Sequence, residues 1–86
     1  MLPEKPSFRS LEKIVRETLA RSLEPDMIDA IINEAEKDNP AAQYIVASAL
    51  ESEGEAPEAI RWYRRAADQG YCPALERLRR LSNPAA

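Results

Sequence analysis

Residues 59–70 read AIRWYRRAADQG. Indexed at about 100° per residue, Ala59, Ile60, Tyr63, Ala66 and Ala67 share one arc, with Trp62 at its edge. Arg61, Arg64 and Asp68 point the other way, and Arg65 sits on the polar flank beside Trp62. Small residues on the apolar side let another helix approach closely, and Tyr63 fills the space between them. Gly70 stands where a left-handed helix terminator belongs. The stretch reads as an amphipathic core helix and as one unit of a repeat.

The chain on either side has the same grammar. Pro25, Pro40, Pro57 and Pro73 each precede helical pattern, and proline suits the first helical position because its missing N–H has no intrahelical acceptor there. The spacing predicts five helices. The first runs from Ser7, a good N-cap, to Leu23 and carries Phe8, Leu11, Ile14, Val15, Leu19 and Leu23. The second runs from Pro25 to about Lys37, with Met27, Ile28, Ile31, Ile32 and Ala35 as its face. Asn39 and Pro40 open the third, which turns Ala42, Val46, Ala47 and Leu50 inward and ends near Glu53, before Gly54. Pro57 opens the fourth. The fifth starts at Pro73, shows Ala74, Leu75, Leu78 and Leu81, and stops before Asn83 and Pro84. No segment alternates with period two over strand length, so the expected class is all-α. Residues 1–6 read as a flexible lead and 83–86 as a tail around one domain, 7–82.

A shift of 32 residues lays Ile14 on Val46 and Val46 on Leu78, Pro25 on Pro57, Ile31 on Tyr63, and Ala35 on Ala67. The match is one of character and keeps helix starts in phase. It divides the chain into a hairpin over 11–42, a second over 43–74, and a capping helix over 73–82.

Residues 41–78 resemble the Sel-one-like repeat, a relative of the tetratricopeptide repeat. AAQYIV (41–46), AIRWYRRAADQG (59–70), Ala74 and Leu78 carry the resemblance. The Ala-x-x-Trp-Tyr-x-x-Ala-Ala-x-x-Gly series is complete. Two features depart from the family pattern. Val46-Ala47 and then Leu50 stand where Leu-Gly and then Tyr are usual, and Glu53-Gly54-Glu55-Ala56 is shorter than the family's Gly-rich loop. The resemblance implies a short right-handed solenoid of antiparallel helix pairs, a fold whose members act as adaptors, scaffolds or chaperones for other proteins.

Charge narrows the function classes. The 86 residues carry a net charge of −3, with no histidine and one cysteine. Residues 24–58 hold ten acids and one base, Lys37, whereas 59–86 hold six arginines and two acids. Net acidity argues against a nucleic-acid or membrane partner. Without histidine the commonest general base and metal ligand is missing. Cys72 has no histidine to activate it and no second cysteine for a disulfide. Asp26 with Asp29, and Glu51 with Glu55, have the spacing of a solvated helix face. Two glycines make no phosphate loop. The expectation is a protein that is not an enzyme and uses no cofactor or metal. MLPEKPSF lacks an apolar signal core and no run approaches a membrane span, so the expected location is cytoplasmic.

The binding reading places a peptide groove on the first helix of each pair. The 32-residue shift aligns Glu12, Tyr44 and Glu76 in one column and Arg16, Ser48 and Arg80 in another, with Glu51 beside them. An arginine there suits a carboxylate and Tyr44 gives a rigid contact. Trp62 either packs against a neighbouring helix or stands partly exposed as an interface anchor. The expected partner is another protein or peptide, including one with an acidic segment. The rival readings are a self-associating subunit or homodimer, and a nucleic-acid-associated regulator using Arg77, Arg79 and Arg80.

Overall fold

The computed structural model of the chain describes residues 8–82, with side chains described from 11 to 81. The lead over 1–6, the Ser7 cap, the Asn83-Pro84 stop and the tail lie outside the described residues, and the Phe8 side chain lies outside the described side chains. Five helices follow in order: α1 (Phe8–Leu19), α2 (Pro25–Glu36), α3 (Pro40–Ser52), α4 (Ala56–Ala67) and α5 (Cys72–Ser82). There is no strand among the described residues.

Helix starts follow local chemistry. Pro25, Pro40 and Pro57 lie in the first turns of α2, α3 and α4. The Asn39 side chain accepts from the backbone N–H groups of Ala41 (3.0 Å) and Ala42 (3.2 Å) and so caps α3. Helix α1 stops at Leu19 rather than running to Leu23. Pro25 forces Glu24 into extended backbone (φ −80°, ψ 156°), so the chain must leave the helix and turn over residues 20–23.

The ends of α2, α3 and α4 share one device. Asp38, Gly54 and Gly70 have positive φ (71°, 83° and 87°), each 16 residues after the last. The next residue's N–H reaches back to a carbonyl in the final turn: Asn39 to Glu34 (2.9 Å), Glu55 to Leu50 (2.9 Å) and Tyr71 to Ala66 (3.2 Å). Each terminator's own N–H bonds to Ala35, Glu51 or Ala67. This double bond satisfies carbonyls that a helix end leaves unpaired.

The core is organised around α3 more than around the 59–70 stretch. Helices α1, α2 and α4 all pack on α3, most extensively α4, and α5 packs on α4. Helix α3 accordingly buries Ala42, Gln43, Val46, Ala47, Ala49 and Leu50, which is more than one stripe of a helix. Helix α4 buries Ala59, Trp62, Tyr63 and Ala66. Leu11, Val15, Ile28, Ile32, Ala35 and Ala74 complete the core. Tyr63 meets Glu51, and Gln69 meets Gln43, so the two pairings run in opposite senses along α3 and the chain of α4.

Two residues assigned to inner faces lie outside. Met27 is 54 % exposed and Leu75 is 48 % exposed. Helix α2 seats itself through Ile28, Ile32 and Ala35, which leaves Met27 on the flank. Helix α5 rests on α4 through buried Ala74, with Leu78 and Leu81 half-buried. Leu75, one residue on from Ala74, turns about 100° away from that contact.

Candidate functional site

Two tyrosines, Tyr63 of α4 and Tyr71 of the α4–α5 link, converge on Tyr44 of α3. Its ring lies 5.5 Å from that of Tyr63 and 5.6 Å from that of Tyr71, tilted by 57° and 55°. Tilted contacts at this distance are favourable between aromatic quadrupoles and fix the ring's orientation. Tyr44 stays half-buried, so part of a rigid ring faces solvent.

Two hollows meet at Tyr44. One, of about 230 Å³, is walled by Pro73, Glu76, Arg77 and Arg80 of α5. The other, of about 400 Å³, lies between the C-terminal end of α1 and α3, with Leu19, Leu23, Ile45 and Ser48 on its walls. Residues of α1, α3 and α5 thus line two hollows that share Tyr44.

Below it lies a polar tie. The Tyr63 hydroxyl donates to Glu51 Oε1 at 2.8 Å, and Arg77 Nε donates to the same oxygen at 2.9 Å. Burial, and then the Glu51 carboxylate, push the Tyr63 phenol up to about 12. Glu51 also raises the Arg77 pKa through their hydrogen bond. Arg77 therefore clamps α5 to α3 from the wall of the first hollow. Arg80 makes no ion pair among the described residues.

A second network lies at the ends of α2 and α4. Gln43 is fully buried. Its Nε2 donates to the Ala35 carbonyl (3.1 Å) and to Asp38 Oδ1 (3.2 Å), and its Oε1 accepts from Gln69 (3.0 Å). Arg65 donates to Asp38 at 2.8 Å and lies 4.5 Å from the Trp62 ring centroid. Arg65 and then Gln43 hold the Asp38 carboxyl below its ordinary value.

The structure distributes the sequence-derived binding residues unevenly. Tyr44, Glu76 and Arg80 line the first hollow, and Tyr44 and Ser48 line the second. Glu51 is committed to Tyr63 and Arg77. Glu12 and Arg16 line neither hollow; Arg16 donates to Glu12 at 2.9 Å and to Asp29 of α2, both of which raise its pKa. Trp62 is only 6 % exposed and so packs inside rather than standing out as an anchor. Of the three arginines on α5, Arg77 is drawn into the Glu51 tie, which leaves Arg79 and Arg80 outward. Sequence reasoning missed Arg77, Pro73 and Tyr71 as parts of this region. Arg77 and Glu51 are opposite charges 26 residues apart, a separation that no helix-spacing rule connects.

Among the described residues, no three His, Cys, Asp or Glu side chains come together as a metal site. Cys72 is exposed and unbridged. No described helix is long and apolar enough to cross a membrane. No model of a known protein family matches the chain, and no curated protein or solved structure matches it either.

Proposed function

We propose that the chain is a non-enzymatic protein-binding module. It is built as a short tetratricopeptide-like stack, with α3 and α4 as its complete antiparallel hairpin. The regular terminators at 38, 54 and 70 support the repeat reading. The observation that carries the binding reading is Tyr44, fixed between Tyr63 and Tyr71 yet open to solvent where two hollows meet. A rigid aromatic loses little conformational entropy on binding and offers apolar area with a polar tip. Arg80 on the same wall supplies a cation for an acidic side chain of the partner. In this reading the module works in the cytoplasm as an adaptor, scaffold or regulator.

The test is capture of partners from the native host by the purified chain, compared with Tyr44→Ala, Arg80→Ala and, as a surface control, Arg61→Ala. The expected result is a specific partner that Tyr44→Ala and Arg80→Ala lose and Arg61→Ala keeps. Retention of every specific partner by both hollow variants places binding elsewhere on the molecule.

A further inference from the structure

The 32-residue shift lays Met27, Ala30, Ile31 and Glu34 of α2 on Ala59, Trp62, Tyr63 and Ala66 of α4. Those four α4 residues are its buried face. In α2, Met27, Ala30 and Glu34 are exposed and Ile31 is half-buried. A hollow of about 220 Å³ opens beside Ala30, Ile31 and Glu34. Helix α2 therefore has the counterpart of the face with which α4 covers α3, and that face is left open.

The complementary surface is also open. Gln43 and Ala47 of α3 are fully buried. The same shift lays them on Leu75 and Arg79 of α5, both exposed. Helix α5 is thus the counterpart of α3, and among the described residues no helix takes the place of α4 on it.

We infer that two copies of this chain associate by laying α2 of one on α5 of the other, in the manner of α4 on α3. Charge and register select this occupant. Gln43 meets Gln69 and Glu51 meets Tyr63; interpolating between these pairings sets Ala47, also buried, in register with buried Ala66. Shifted by 32, that small–small pair becomes Arg79 opposite Glu34. Both positions change together and to opposite charges. Neither residue forms an ion pair among the described residues. Of the neighbouring charges, α2 also carries Asp26 and Glu36, with Asp29 held by Arg16, and α5 also carries Arg80 against one acid, Glu76. Opposed patches of this kind favour encounter and fix register. Leu75, 48 % exposed in one copy, would be covered in the pair.

The experiment is sedimentation velocity on the full chain at low ionic strength, from about 10 µM to about 1 mM, the range of weak association. The expected result is a mass that rises with concentration. Arg79→Glu and Glu34→Arg each place like charges in the contact and weaken association by about tenfold or more. An equimolar mixture of the two variants recovers wild-type association, because both contacts between unlike copies then pair opposite charges. Both residues are exposed, and circular dichroism checks that each variant stays folded. A wild-type chain that is monomeric throughout overturns the inference. So does association that neither reversal weakens, or a mixture that fails to recover it. The readout is the chain against itself, so such a result leaves the Tyr44 reading of partner binding intact.

Discussion

Gln43 gives the most direct test of how the helices are tied together. It is fully buried, and its side chain makes three hydrogen bonds, to Ala35, Asp38 and Gln69. At about 1 kcal/mol net per bond, losing all three costs about 3 kcal/mol. The groups left behind keep other partners: Asp38 retains Arg65, Gln69 retains the Arg65 carbonyl (3.3 Å), and the Ala35 carbonyl still accepts from the Asp38 N–H (3.1 Å). None is stranded, so no further desolvation penalty applies. In Gln43→Leu, new apolar burial returns about 1–2 kcal/mol, for a net loss of about 1–2 kcal/mol. Gln43→Ala has no such return and leaves a void, for a loss of about 3–4 kcal/mol. Urea unfolding measures both, with Trp62 as a single buried fluorophore. The expected order of stability is wild type, then Leu, then Ala, with unchanged m-values. A Leu variant at least as stable as wild type refutes the claim that the network adds net stability.

Tyr63→Phe removes the hydroxyl bond to Glu51 while leaving Arg77 to satisfy that carboxylate, and should cost about 1 kcal/mol in the same unfolding assay. Its raised phenol also makes an alkaline prediction. The folded value, about 12, exceeds the ordinary 10.0, so this contribution is full below pH 10 and is lost as pH rises toward 12. Ultraviolet titration should find one tyrosine ionising near the upper value, and Tyr63→Phe should remove that component of alkaline destabilisation. Gly54→Ala and Gly70→Ala test the terminators. A Cβ at either meets nothing within 4 Å, so backbone strain alone acts, and each should cost about 1 kcal/mol in thermal unfolding. No loss at either site means that the positive φ is not needed there.

What was legible in the sequence was mostly local. The prolines marked α2, α3 and α4 within a residue, because proline's effect on φ and hydrogen bonding acts at its own position. Asn39 as a cap and Gly54 and Gly70 as terminators follow equally local rules. Asp38 does the same work with a side chain that tolerates the left-handed region, and nothing in its neighbourhood separated it from a surface acid. Met27 and Leu75 lie outside the faces their spacing predicts because periodicity fixes an arc but not which edge of it meets a neighbour. Nothing local marks Gln43 as buried, because its polarity favours exposure and its cover comes from the end of α2, through Ala35 and Asp38. At the hollow, the 32-residue shift brought Tyr44, Glu76 and Arg80 to the same side, since it compares like helices. It failed for Glu12 and Arg16, whose place depends on how α1 leans on α3 and on the Asp29 partner in α2.

The arrangement around α3 also bears on how quickly the chain reaches its fold. The link between α3 and α4 is three residues long, and their contact is the most extensive in the domain. Closing so short a loop costs little entropy. Helices α2 and α5 then add to helices next to them in sequence, and α1 on α3 is the extensive pairing that skips an element. Such sequence-local topology places the chain among fast folders. The α3–α4 pair is the natural nucleus, α1 the natural late arrival, and the locally encoded ends of α2, α3 and α4 spare the search any question of where those rods should stop.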